Sequence, residues 1–240
     1  MESTSETDDS DTVSLRSDPE LERQLEEVAA CFRDAETLLV ASHEEPDGDA
    51  MGAMLGLGNL LDQLGKEVIR FNHDPVPYNF EFLSGADEVT DEVPAGADVD
   101  VVVLLDCSSV ERLGDAFPGL EVLAPDEVVV IDHHATLDES TADRYLHDED
   151  AAATGELIYR LVEQLGASLS TPMADCLYCA LMTDTGSFQY SNTVRTTFRI
   201  AGELLDAGVD AWKMTSQLYE NEPLERIQLL AEVLDTLRVS

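Results

Sequence analysis

Four apolar runs rich in β-branched residues alternate along the chain with segments of helical periodicity. The runs cover residues 37–41, 68–71, 99–105 and 128–131. The last two are nearly continuous, which is typical of strands covered on both faces in a parallel sheet. Helix-spaced apolar positions lie at 21–32, 49–64, 154–165, 172–183, 194–207 and 223–237. The alternation predicts an α/β fold with a doubly wound, mainly parallel sheet flanked by helices.

The two ends of the chain differ from its middle. Residues 1–18 are rich in Ser, Thr, Asp and Glu and almost free of apolar side chains, which predicts an acidic disordered leader. A length of 240 residues suits one α/β domain with an extension. We therefore expect one catalytic domain over residues 19–220 and a linker helix over residues 221–240.

The charge balance is strongly acidic. There are 51 Asp and Glu residues against 13 Lys and Arg, a net charge of −38, and the acids are spread over the whole length. With a hydrophobic fraction of 44 %, this indicates a folded core under an acidic surface. Such a surface suits a halophilic protein, because at molar salt charges interact over only about 3 Å. It excludes a broad basic face for duplex nucleic acid.

Two features bear on the compartment. No apolar run approaches the roughly 20 residues that cross a membrane, and the polar N-terminus does not resemble a secretory signal. We therefore expect a protein of a reducing cytoplasm, with no membrane contact and with free cysteines. Cys176 and Cys179 form a C-x-x-C in a helix-like segment. Because no second Cys or His pair completes a site, ordinary helix residues are favoured over a zinc or redox pair.

Residues of the types that bind metal ions directly follow three of the predicted strands. In a parallel sheet the ligand site lies beyond the carboxyl ends of the strands. Any single cluster could be a turn with a capping aspartate or a pair of incidental polar loop residues. Three such clusters follow three strands, and a further aspartate ends an apolar helix. Together they favour a metal site. The residues are His43, Asp47 and Asp49 after the first run, Asp106 after the third, Asp132, His133 and His134 after the fourth, and Asp184 after the helix.

These motifs resemble the DHH phosphoesterase superfamily over residues 25–235. That superfamily includes RecJ-type exonucleases, family II inorganic pyrophosphatases and the nano-RNases, which act as oligoribonucleases and phosphoadenosine-phosphate phosphatases. The matching motifs are Ser-His-Glu-Glu-Pro-Asp-Gly-Asp-Ala (42–50), Leu-Asp-Cys-Ser (105–108), Asp-His-His (132–134) and Thr-Asp-Thr-Gly-Ser-Phe (183–188). Segments 71–83, 152–156 and 188–190 are most similar to the nano-RNase branch. Family members usually carry a C-terminal substrate-binding domain, which we expect to be absent here, either naturally or through truncation.

The resemblance implies a role for each residue. Two metals are implied, one held by His43, Asp47 and Asp106 and the other by Asp49, Asp106, His133 and Asp184. His134 would contact the scissile phosphate and assist the leaving group, and Asp132 would orient a ligand or a metal-bound water. Arg195 and Arg199 are candidate substrate contacts. Four carboxylates and two imidazoles without a thiolate independently suit Mn²⁺, with Mg²⁺ or Co²⁺ as alternatives.

The leading function hypothesis is a two-metal phosphoesterase that uses a metal-bridging hydroxide. Its expected substrates are short single-stranded oligonucleotides, nucleotide phosphates, or both. Alternatives within catalysis are a cyclic dinucleotide phosphodiesterase and a pyrophosphatase, and the alternative of another class is a non-catalytic DHH-like scaffold. Substrate length, polarity of attack, the physiological metal and homodimer formation stay open at this point.

Overall fold

The computed structural model of the protein describes residues 18–138 and 140–238. Its centre is a six-stranded sheet in which every pair of neighbouring strands is parallel. The spatial order is β3-β2-β1-β4-β5-β6. This confirms the predicted α/β class. The strands are β1 (Thr37–Ser42), β2 (Glu67–Phe71), β3 (Val89–Thr90), β4 (Val101–Leu105), β5 (Glu127–Asp132) and β6 (Arg144–His147).

In the described residues, eight α-helices accompany the sheet. They are α1 (Pro19–Asp34), α2 (Gly48–Gln63), α3 (Leu120–Leu123), α4 (Thr154–Gln164), α5 (Thr171–Asp184), α6 (Arg195–Asp206), α7 (Ala211–Tyr219) and α8 (Leu224–Asp235). Short 3₁₀ turns lie at Ala86–Glu88 and Val110–Leu113. Aspartate caps set several helix starts, since the Asp18 and Asp210 carboxylates accept N–H groups of α1 and α7.

Side chains alternate between two cores on the two faces of the sheet. On β1, Leu38 and Val40 enter a large core formed with the long helices, whereas Leu39 and Ala41 enter a smaller one. The smaller core is closed by Phe117 and by residues around α3. Burial on both faces explains why the central strands are continuous hydrophobic runs.

The strand order reverses between β1 and β4, where the sheet continues to β2 in one direction and to β5 in the other. The three strands end level with one another, because Ser42 pairs with Leu105 and Leu105 with Ile131. The residues that follow them therefore meet at one edge, at the switch point where α/β sheets bind ligands.

The elements that periodicity missed are peripheral. β3 has two residues and β6 is partly buried, so neither shows a continuous apolar run. α7 buries only Met214 and Leu218. α8 lies where the linker helix was expected, and none of its residues is buried. The predicted leader lies outside the described residues apart from Asp18, and the predicted domain bounds stay a prediction.

Candidate metal centre

The turn after β1 forms one wall of the centre. His43 is buried, and the chain then turns through Glu45, whose φ of 52° lies in the left-handed region. The Asp74 carboxylate accepts the Glu45 N–H at 2.7 Å and holds this turn. Asp47 accepts the N–H groups of Asp49 and Ala50 at 3.0 Å, so it caps α2 as the turn alternative predicted. It also lies in a group with His43 and Asp106 whose ligand atoms are all within 4.8 Å of one another.

Asp106 occupies the middle of the centre. Its φ of 59° is unusual for a residue other than glycine, and its N–H donates to the Ile131 carbonyl at 3.0 Å. Its two carboxylate oxygens face two imidazoles: Oδ2 lies 3.5 Å from His43 Nε2, and Oδ1 lies 3.8 Å from His133 Nε2. With a side chain only 3 % exposed, Asp106 joins the two halves of the centre.

His133 organises the second half. Its Nε2 lies 3.6 Å from an oxygen of Asp49 and 3.6 Å from an oxygen of Asp184. These three residues form another group with ligand atoms within 4.8 Å. Around one divalent cation with bonds of about 2.1 Å, adjacent ligand atoms are about 3 to 4 Å apart. Both groups therefore fit a cation, and Asp106 is placed to serve both.

The two imidazoles present the correct nitrogen. The Nδ1 atom of His43 lies 2.7 Å from the Glu44 carbonyl oxygen, and that of His133 lies 3.2 Å from the Ala151 carbonyl oxygen. A carbonyl oxygen only accepts hydrogen bonds, so Nδ1 carries the proton and Nε2 faces the carboxylates. Fixing one ring nitrogen to a carbonyl is how metal-ligating histidines are usually oriented.

The N-terminus of α4 anchors Asp49. The backbone N–H groups of Thr154 and Gly155 donate to its two oxygens at 2.6 and 3.0 Å. The Thr154 hydroxyl donates to Asp106 Oδ1 at 2.9 Å. A helix N-terminus favours negative charge, so α4 stabilises the carboxylate that the fold buries there.

The buried carboxylates of the centre repel one another electrostatically. Burial, followed by the nearby charges of Asp106 and Asp184, raises the pKa of Asp49 well above its usual range. Burial also raises the pKa of Asp184. Buried like charges of this kind are stabilised by a bound cation, whose charge is often the largest in a site. The donor set, the spacing and the charge therefore all fit divalent cations.

Asp132 and His134 form a hydrogen-bonded pair next to Asp106, and His134 Nδ1 lies 3.5 Å from Asp106 Oδ1. His134 also forms a third possible ligand group with Asp106 and His133. Asp132 Oδ1 accepts the His134 backbone N–H at 3.0 Å and lies 2.8 Å from His134 Nδ1. This hydrogen bond raises the pKa of His134 to about 9. Asp132 therefore holds His134 in place, and the His134 side chain is 48 % exposed. The expected role of Asp132 in orienting a ligand or a metal-bound water stays a prediction.

Comparison with known proteins then decides the family. The model of the DHH family, N-terminal domain, matches residues 37–181. The chain belongs to the DHH family.

Several DHH relatives are bifunctional oligoribonuclease and PAP phosphatases NrnA. The chain is 34 % identical to the one from Thermus thermophilus over 83 % of its own length, and 30 % identical to the one from Bacillus subtilis over 78 %. The matched part covers 59 % and 58 % of the length of those two relatives, respectively. It is also 28 % identical to a manganese-dependent inorganic pyrophosphatase from Methanothrix thermoacetophila, over 70 % of the chain and 56 % of the relative.

One solved DHH-like structure superimposes closely. An exopolyphosphatase-related protein from Bacteroides fragilis aligns with a TM-score of 0.81 at 27 % identity, covering 91 % of this chain and 66 % of that one. In the described part of the chain no helix is long and apolar enough to cross a membrane.

The structure brings all six predicted metal ligands together and places the two candidate arginines on α6. Arg199 donates to Glu203 at 2.8 Å, and negative charge at Glu163, near the far end of α4, also acts on it. Arg195 is exposed at the start of α6. The substrate roles of Arg195 and Arg199 stay predictions.

Sequence reasoning missed the residues that support the ligands. Thr154 and Gly155 lie in a segment that carried part of the family resemblance, but no role was predicted for them. Asn192 donates to the carbonyls of Ala152 and Asp184 at 3.0 and 3.1 Å, which ties the end of α5 to the start of α4. No local sequence signal marks Asn192.

The two histidines outside the centre make structural contacts. His73 Nδ1 accepts the Ala116 N–H at 3.2 Å, and His147 Nε2 lies 2.7 Å from the His134 carbonyl oxygen. The four cysteines are free and buried. Cys176 and Cys179 therefore pack inside α5, as the sequence predicted.

Proposed function

We propose that this chain is a metal-dependent phosphoesterase domain that binds two divalent cations, with Mn²⁺ favoured over Mg²⁺ or Co²⁺. The observation that carries the proposal is the position of Asp106, whose two oxygens face two oriented imidazoles in two adjacent ligand groups. His43, Asp47 and Asp106 would hold one cation. Asp49, Asp106, His133 and Asp184 would hold the other.

Two such cations would neutralise charge on the phosphoryl oxygens and activate a water as the nucleophile. The chain itself supplies positioning and a proton donor. His134 is fixed by Asp132 through two contacts, and its side chain is 48 % exposed. A protonated imidazole there would donate to a phosphoryl oxygen or to the leaving group.

We further propose short oligonucleotides and nucleotide phosphates as substrates. The two oligoribonuclease and PAP phosphatase relatives support this. They are more similar in sequence to the chain than the pyrophosphatase relative is, and they match a larger share of the chain. A net charge of −38 disfavours duplex nucleic acid. The complete ligand set argues against a non-catalytic scaffold.

The proposed setting is a reducing, salt-rich cytoplasm. Four buried free cysteines suit a reducing compartment, and the acidic composition suits high salt. A homodimer stays a prediction.

The substrate proposal is tested by assaying the protein in molar KCl with Mn²⁺. The panel is a dinucleotide, phosphoadenosine phosphate, pyrophosphate, a cyclic dinucleotide and a longer single strand. We expect hydrolysis of the first two. Turnover of pyrophosphate or of the cyclic dinucleotide alone would contradict the proposal in favour of that activity, and a protein that binds metals but cleaves nothing would support the scaffold.

The metal assignment is tested by three matched variants. Asp106→Asn should lower the content of both metals, because its carboxylate serves both groups. Asp132→Asn and His134→Gln should keep the metals and lower kcat, since that pair lies beside the ligands. Metal loss in His134→Gln, or full metal content in Asp106→Asn, would overturn the division of roles.

A further inference from the structure

Arg112 differs from most cations of this acidic protein. Seven described arginines form ion pairs with Asp or Glu, namely Arg23, Arg33, Arg70, Arg144, Arg160, Arg199 and Arg226. Among the described residues, no carboxylate lies within 4.0 Å of the Arg112 guanidinium. Among the described residues Arg195 and Arg238 also have no such ion pair, and of these three arginines Arg112 is the one that lines a cavity beside His134.

The position of Arg112 is fixed relative to the metal centre. It lies in the 3₁₀ turn Val110–Leu113, a few residues after Asp106, and its carbonyl accepts the Glu44 N–H at 2.7 Å. This bond ties the turn to the wall formed after β1. Its side chain lines the same cavity as the side chain of His134.

A cavity of about 340 Å³ connects Arg112 with His134. Its other walls include Ser108, Thr136 and Asp138. The Ser108 hydroxyl donates to the Thr136 carbonyl at 3.3 Å and accepts the Asp138 N–H at 3.1 Å. These two bonds fasten the loop after β4 to the loop after β5, so the cavity is built by the fold.

The carboxylates at this cavity already have partners. Asp132 is engaged by His134. Asp138 accepts both the N–H and the hydroxyl of Ser140, at 2.9 and 2.6 Å. Arg112 thus provides an open, planar set of N–H donors, the geometry that binds phosphate oxygens in pairs.

We propose that this cavity binds a second phosphate of the substrate, the terminal phosphate next to the scissile one, with Arg112 as its main contact. The inference rests on the proposed function. The scissile phosphate would lie between the metal ligands and His134, and the cavity continues from His134 to Arg112. Arg112 is then a specificity residue for phosphorylated short nucleotides.

The test compares one dinucleotide with and without a 5′-terminal phosphate. Arg112→Gln should lower kcat/KM about 10- to 100-fold for the phosphorylated dinucleotide, the loss expected for hydrogen bonds to a charged group. It should change the unphosphorylated one little. Arg112→Lys should lie between, because it keeps the charge without the planar fork. Arg23→Gln, at an exposed arginine on α1, is the matched control and should alter neither.

A binding measurement provides a readout independent of turnover. Calorimetry with a phosphorylated dinucleotide that carries a non-cleavable phosphonate linkage should show Arg112→Gln weakening Kd about 10-fold or more. Metal content should stay at the wild-type level.

The outcomes separate the two proposals. If wild-type protein cleaves neither dinucleotide, the proposed function fails and the calorimetry still decides the phosphate site. Equal loss on both substrates would overturn the site, because Arg112 would then act on the scissile phosphate. Loss of metal or a large fall in Tm in both Arg112 variants would overturn it too, by showing a structural role.

Discussion

Replacing Thr154 with valine removes one hydroxyl from the surroundings of Asp106 and keeps the side-chain size. Thr154 is fully buried, and its hydroxyl donates to Asp106 Oδ1 at 2.9 Å. Its backbone N–H donates separately to Asp49, and valine keeps that donor. The substitution therefore isolates a single hydrogen bond to the carboxylate that joins both ligand groups.

Two effects are expected from this change. The metal-free protein loses a hydrogen bond to a buried charged group, which costs about 1.5 to 3 kcal/mol. At about 2 to 4 °C per kcal/mol for a protein of this size, Tm falls by roughly 3 to 12 °C. In addition, Asp106 is held less firmly in its left-handed conformation, and loss of such supporting contacts lowers metal affinity about 10- to 100-fold.

The assay is calorimetric titration of Mn²⁺ into metal-free protein in molar KCl, with melting curves on the same samples. Thr154→Ser keeps the hydroxyl and serves as the control, so it should retain most of the affinity. A Thr154→Val protein that melts earlier but binds Mn²⁺ within twofold of wild type would refute the positioning argument. The hydroxyl would then support only the fold.

Four further outcomes concern stability. Gly52→Ala should destabilise the protein by about 1 to 3 kcal/mol in denaturant melts, because its Cβ would lie 2.5 Å from the Cys176 carbonyl oxygen where α2 meets α5. Gly202→Ala, with open space around the new methyl group, should be neutral or stabilising. Burial raises the pKa of Asp175, so the ionised carboxylate is less stable in the folded protein than in the unfolded chain. Asp175→Asn should therefore raise Tm at about pH 7. It should have no such effect at about pH 3, where Asp175 is protonated in both the folded and the unfolded protein. Finally, Tm should fall as salt drops from molar to about 0.1 M, because repulsion then acts over about 10 Å, and a flat Tm would remove the halophile argument.

The parts of the structure that sequence predicted are those with a local signal. β4 and β5 are buried on both faces, so their hydrophobic runs are unmistakable, and the ligands follow them directly in the chain. The helix bounds agree to within two residues for α2, α4, α5 and α6. Edge strands such as β6 lack that signal, because one side of the strand is only partly covered.

The missed residues act through tertiary contacts. Thr154 reaches Asp106 across 48 positions of sequence, and Asn192 reaches Ala152 across 40. Helical periodicity places Arg199 on a helix but cannot show that it pairs with Glu203. No local signal marks Arg112, because a single arginine in a loop has no pattern, and only the fold shows that it lines a cavity with His134.

The burial of the central carboxylates links metal binding to stability. The carboxylates of Asp49, Asp106 and Asp184 lie close to His133. Burial raises the pKa of Asp49 and of Asp184. Ionisation of these two carboxyls therefore lowers the stability of the metal-free protein at neutral pH. The fold tolerates this because backbone donors at the start of α4 engage Asp49. A cation that binds only the folded protein removes the repulsion and stabilises the fold by mass action. The charges that weaken the metal-free protein are therefore the source of its metal affinity.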